Sequence, residues 1–114
     1  MRKLGYTAEI MQGDEYPFDI KLRDKETGEV ITGDDIAVLE AMISSTLRYA
    51  YPETMTYDED TQCFTFRPTQ EQTFSLKPGV HAYQIRIKTL TGEVNGKWDL
   101  PPIKVIDAES QVVL

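Results

Sequence analysis

Tyr16-Pro-Phe-Asp-Ile-Lys-Leu-Arg23 sets four apolar side chains, Tyr16, Phe18, Ile20 and Leu22, in alternation with one proline and three charged residues. A period of two puts successive side chains on opposite faces of an extended chain, so this stretch predicts a strand with one dry and one wet face. Pro17 has no amide hydrogen to give to a ladder, which places it at a strand start or a sheet edge. The same pattern returns where Tyr83, Ile85 and Ile87 alternate with Gln84, Arg86 and Lys88, and in shorter form at Phe64 and Phe66 and at Phe74 and Leu76. Turn signals separate the runs: Lys25-Glu-Thr-Gly28, which reads as a hairpin, then Asp58-Glu-Asp-Thr61, Pro78-Gly79, Thr91-Gly92 and Asn95-Gly96. Short alternating runs at this spacing predict an all-β, antiparallel sandwich or barrel.

Gly33 to Tyr51 carries two patterns at once. Ile36, Leu39, Ile43 and Leu47 fall at helical intervals, with Asp34 and Asp35 as candidate caps. As a strand, the same segment puts Leu39, Ala41 and Ile43 on one face and Val38, Glu40 and Met42 on the other. The all-β context favours at most a short helical turn near Asp34–Ala37, then a strand from about Val38 to Ser44. Further on, Leu76-Lys-Pro-Gly-Val-His-Ala-Tyr83-Gln-Ile85 joins two strands through a Pro-Gly turn and sets a tyrosine early on the second. Immunoglobulin-like sandwiches carry a tyrosine there with its hydroxyl bonded back to the corner. Tyr83 is the candidate corner residue; the alternative is an ordinary amphipathic strand position.

The chain has 114 residues, of which 40% are hydrophobic and 10% aromatic, enough for one domain spanning 1–114 with one core. Nineteen acidic residues against 12 basic ones give a net charge of −7, which argues against a nucleic-acid partner. Cys63 is the one cysteine and His81 the one histidine, so an intramolecular disulfide, a Cys-rich zinc site and a paired-histidine metal site are excluded. Glu9 arrives before any apolar run, which is unlike a signal peptide. The longest stretch without a formal charge, Pro78 to Ile85, falls far short of the ~20 residues a membrane span needs. Synthesis and folding in a reducing cytoplasm, with no membrane partner, is the expectation.

Chemistry-bearing motifs are thin. There is no Gly-x-Ser-x-Gly elbow to pair Ser44, Ser45 or Ser75 with His81, and Cys63 has no basic residue nearer in sequence than Arg67 to depress its pKa. Asp58-Glu-Asp-Thr-Gln62 opens like a calcium loop, but Cys63 stands where that loop needs glycine and Thr69 where it needs glutamate. No phosphate-cradling glycine loop is present. These residues predict no enzyme, no cofactor and no metal.

Charge is unevenly distributed. Glu9 to Asp60 holds 14 acidic and 4 basic residues, a local charge of −10, whereas Thr61 to Ile106 holds 3 and 6, a local charge of +3. Oppositely charged strands neighbouring one another in a sheet account for this; a dipolar module that docks through complementary faces is the functional alternative. The candidate interaction residues are Asp34, Asp35, Asp58, Glu59 and Asp60, with the apolar tail Val112, Val113 and Leu114. Pro101-Pro102 is expected to protect a sheet edge before the last strand. A different class of function, a carbohydrate- or small-ligand-binding β module, would use Tyr49, Tyr51 and Trp98 as stacking platforms.

Glu9-Ile-Met-Gln-Gly-Asp followed by Tyr16-Pro-Phe-Asp-Ile-Lys-Leu22 resembles the opening of small Ig-like domains of tailed-phage proteins, including N-terminal domains of baseplate upper proteins. Asp58 to Gly79, then Tyr83-Gln-Ile-Arg-Ile87, is similar to stand-alone prophage proteins encoded among virion structural genes. The resemblance implies an Ig-like sandwich of about seven strands. It further implies a non-enzymatic structural or accessory protein whose partners are other virion proteins or further copies of itself, found in the host cytoplasm during synthesis or in the virion. It carries no catalytic residues over.

Overall fold

The computed structural model describes residues 5–24, 26–94 and 98–108, so the tail residues Val112, Val113 and Leu114 lie outside the described residues. The chain is mostly β. Its strands are β1 (Ala8–Met11), β2 (Phe18–Ile20), β3 (Leu22–Arg23), β4 (Val30–Ile31), β5 (Ile36–Ile43), β6 (Leu47–Tyr51), β7 (Thr56–Asp58), β8 (Cys63–Phe66), β9 (Gly79–Thr89) and β10 (Trp98–Ile106), with one short helix, α1 (Gln70–Phe74). A five-stranded sheet runs β1-β10-β9-β5-β6 and a three-stranded sheet runs β2-β8-β7; β3 and β4 form a small hairpin of their own. The pairings are antiparallel except one: β1 lies parallel to β10, with Ala8 opposite Ile103 and Met11 opposite Ile106. The sheet is therefore mixed where an antiparallel one was expected, and ten strands among the described residues take the place of about seven.

The alternation at Tyr16–Arg23 is real but is shared between two ladders. β2 starts after Pro17, as a residue without an amide donor dictates, and Lys21 separates it from β3, which turns to pair with β4. The expected hairpin turn is seen at its described residues (Lys25 lies outside them): Gly28 takes φ +74°, and Asp24 Oδ1 accepts the amides of Glu26 and Thr27.

Ile36–Ile43 is a strand throughout, and there is no helical turn near Asp34–Ala37. Asp35 does not cap forward; its carboxylate accepts from the backbone and the hydroxyl of Thr32, closing a turn behind itself, and Ile36 and Ala37 are already in the strand. Leu39, Ala41 and Ile43 are fully buried on one face because β5 sits between β9 and β6, which satisfy its backbone on both sides. The helix instead falls at Gln70–Phe74, where Phe74 and Leu76 suggested a strand. Thr69 caps it: its hydroxyl accepts the amide of Gln72, and Gln72 Oε1 accepts the amide of Thr69, a reciprocal capping box. Pro101 and Pro102 are inside β10 rather than ahead of it. They sit at a bulge between Leu100 and Ile103, where their carbonyls accept from the backbone and hydroxyl of Thr7.

The dry faces of both sheets contribute to one hydrophobic core. Phe66 of the three-stranded sheet stacks on Tyr49 of the five-stranded sheet at 4.5 Å between ring centroids, and on Phe18 beside it at 5.1 Å. Tyr83 is buried against Phe18 and Phe66. Its hydroxyl has no hydrogen-bond partner among the described residues, so the corner bond expected of it is not made. Burial, with the charge of Asp19 adding to it, raises its pKa. A buried hydroxyl without a partner has given up its water for nothing, which costs on the order of 1–3 kcal/mol. Tyr83→Phe is accordingly expected to be neutral or to stabilise the fold by about 1 kcal/mol in urea unfolding, the reverse of the loss a bonded corner tyrosine would give.

Candidate functional site

Two acidic turns far apart in sequence converge on one side of the molecule. The first, Gly33-Asp34-Asp35, leads into β5; a Cβ at Gly33 would lie 2.9 Å from the Tyr51 hydroxyl and 3.1 Å from the Tyr57 ring, so glycine lets the turn lie flat on both aromatics. The second, Asp58 to Gln62, joins β7 to β8, with Asp58 Oδ1 accepting the Asp60 amide at 2.8 Å and Gln62 at φ +58°. Tyr57 joins them: burial raises its pKa, and the carboxylates of Glu59, Asp34 and Asp35 raise it further. Asp34, Asp35, Asp58, Glu59 and Asp60 are all exposed, and none forms an ion pair among the described residues. Both outlying strands here, β6 and β7, are sheet edges, and Tyr51 and Tyr57 meet across them on Phe64.

The wet face of the five-stranded sheet carries a second polar group of residues. Glu40, buried at 9% exposure, receives Arg48 Nε on Oε2 at 2.6 Å and Arg86 Nη2 on Oε1 at 2.9 Å. Burial alone would raise its pKa, but the hydrogen bonds and charges of Arg48 and Arg86 outweigh that and hold the carboxyl below its usual value. A carboxyl whose pKa falls on folding contributes stability above its unfolded pKa, and that contribution is lost as pH falls through the folded one. Beside it Gln84 Nε2 donates to Asp99 at 2.7 Å. Depressions of about 250 Å³ lie on either side of the Glu40 group, one reaching Met42 and Gln84 and the other Val38 and Val94.

The aromatic residues proposed as stacking platforms are not brought together. Tyr49 is buried, stacks on Phe66 and donates its hydroxyl to Gln72 Oε1 at 2.7 Å; burial pushes its pKa up to about 12. Tyr51, half-buried, meets Phe64 edge-on. Trp98 is on β10, which β9 and β5 separate from β6, a span of about 14 Å at the usual strand spacing. His81, half-buried near the start of β9, uses Nε2 to donate to the Lys77 carbonyl at 2.6 Å. The thiol of Cys63 faces the carbonyl of Thr61 at 3.5 Å.

Sequence reading named the acidic turns separately but missed their convergence, which depends on the register of β7 with β8 and on the flat Gly33 turn. It also missed the Glu40–Arg48–Arg86 group. A period-two pattern puts Glu40 on the wet face but does not reveal that strands β6 and β9 bring an arginine to it from each side. No protein-family model matches the sequence, and no curated protein matches it.

Proposed function

We propose that this chain is a non-enzymatic assembly module with an Ig-like sandwich fold, of the kind that serves as a structural or accessory subunit of a phage or prophage particle, and that it works by protein–protein contact. The strand order supports the fold. In chain order β2, β5, β6, β7, β8, β9 and β10 take the places of strands B, C, C′, D, E, F and G, with β2, β8 and β7 in one sheet and β10, β9, β5 and β6 in the other. The resemblance of Glu9–Asp14 and Tyr16–Leu22 to Ig-like domains of tailed-phage proteins, and of Asp58–Gly79 and Tyr83–Ile87 to stand-alone prophage proteins, supports the class.

The single observation that carries the contact reading is the acidic end. Two turns separated by more than twenty residues hold Asp34, Asp35 and Glu59 around Tyr57 with no cation paired to them among the described residues. Like charges gathered this way oppose the isolated fold, and a basic partner surface relieves them while being steered to the edge strands β6 and β7.

The test is light scattering of the purified chain together with retention of virion proteins on the immobilised chain, at low and high salt. Self-association or virion-protein retention that weakens with salt is expected, and Asp34→Lys with Glu59→Lys, which leaves the Asp35 bonds to Thr32 in place, should abolish it while the chain stays folded. A strict monomer that retains no virion protein overturns the reading.

A further inference from the structure

A cleft of about 430 Å³ opens between the β3–β4 hairpin and the start of β10, within the roughly 300–1,000 Å³ of small-molecule sites, whereas the depressions beside Glu40 fall below it. It exists because the two sheets differ in width. β2 is the edge of a three-stranded sheet, while the dry face of the five-stranded sheet continues past it onto β9 and β10. Trp98 pairs with Ile85 and Leu100 with Tyr83, and residues opposite one another on a ladder share a face, so both project toward the core. Ile85 is 4% exposed, but Trp98 is 37% exposed, because no strand of the smaller sheet reaches over it. Leu22 and Ile31 form the facing wall.

The rim carries basic residues from the acidic part of the chain. Glu9 to Asp60 has four basic residues, and two of them, Lys21 and Arg23, line this cleft. Arg23 gives one Nη1 bond to the Gly28 carbonyl at 3.1 Å, and Lys21 has no ion-pair partner among the described residues. The acidic group at the rim is Asp24, whose carboxylate is already engaged by the amides of Thr27 and Glu26. Apolar walls, a half-open indole and two basic residues in the lining suit a ligand with a hydrocarbon body and one anionic head.

We propose that the Trp98 cleft binds a small amphipathic carboxylate, its hydrocarbon part against Trp98, Leu100 and Ile31 and its carboxylate at Lys21 and Arg23. This site is separate from the acidic end and stands or falls independently of the assembly reading.

Trp98 is the chain's one tryptophan, so its fluorescence reports directly on the cleft. Octanoate, 1-octanol and octylammonium are titrated against the full chain at neutral pH, below the concentrations at which they aggregate. Octanoate is expected to give a saturable blue shift of the Trp98 emission and to bind about fivefold more tightly than octanol, the factor one solvent-exposed ion pair supplies, with octylammonium weakest. Lys21→Gln with Arg23→Gln should bring octanoate and octanol to within about twofold of each other while leaving the octanol affinity in place, an outcome that unfolding would not produce. Absence of a saturable shift with octanoate, equal binding of the three compounds, or discrimination unchanged in the double variant each overturns the proposal.

Discussion

Phe66→Ala is expected to destabilise the protein by about 3–5 kcal/mol, with roughly a 10 °C or larger fall in Tm for a chain of this length. The size of the effect comes from where the ring sits. Phe66 is 2% exposed, lies on β8 in the middle of the three-stranded sheet, and touches Tyr49 and Tyr83 of the other sheet as well as Phe18 of its own. Removing it takes away the transfer free energy of a whole aromatic side chain and leaves a cavity between sheets that cannot close without moving two ladders. It also removes stacking contacts worth about 0.5–1.5 kcal/mol each beyond the buried area. Phe66→Leu, which keeps most of the volume, should cost markedly less. Against a total stability of about 5–15 kcal/mol, the alanine variant sits close to the folding threshold. Urea unfolding of the two variants measures this directly, and a loss below about 1 kcal/mol for alanine would mean that the sheets do not meet at this ring.

The second large effect is expected at a side chain that no hydrophobic pattern would select. Thr73 is fully buried on α1, and its hydroxyl accepts the Gly13 amide at 2.9 Å while facing the carbonyls of Asp14 at 3.0 Å and Gln70 at 3.1 Å. It ties the turn after β1 to the helix. The turn is held there from a second side by Gly13, whose φ of +89° favours glycine and where a Cβ would come within 2.6 Å of the Phe74 ring. Thr73→Val keeps the shape and deletes the hydroxyl, leaving the half-buried Gly13 amide without its acceptor, so a loss of about 1–3 kcal/mol is expected. Thr73→Ser restores the acceptor and should recover most of it, giving up only a methyl group. Equal stability of the valine variant and the parent would show that the turn does not depend on this hydroxyl.

Thr73 and Tyr83 mark where local reading of the sequence stops. Alternation at Phe18–Leu22, Phe64–Phe66 and Tyr83–Ile87 was legible because a half-buried strand writes its environment into every second residue. The hairpin at Gly28 was legible because positive φ narrows the choice of residue. The helix at Gln70–Phe74 also left a signal, Thr69-Gln-Glu-Gln72, a capping box that the two apolar residues Phe74 and Leu76 obscured. Tyr83 looked like a corner residue on spacing alone, but its hydroxyl is without a partner among the described residues, since spacing along the chain does not show what a side chain meets once it is buried.

Patterns local to the chain were enough to specify a mostly β protein, the dry faces of its strands and most of its turns, because these depend on residues one to four positions apart. Tertiary structure alone decided that β1 would lie parallel to β10, and that Ile36–Ile43 would be a strand rather than a helix. It also decided that Glu40 would receive two arginines, that the acidic turns would meet at Tyr57, and that Trp98 would be left half-uncovered at a cleft. Each of these is a choice among partners distant in the chain. A segment whose own pattern allows two conformations takes the one in which neighbouring strands satisfy its backbone and bury its side chains, and that free energy does not exist until the sheet is assembled.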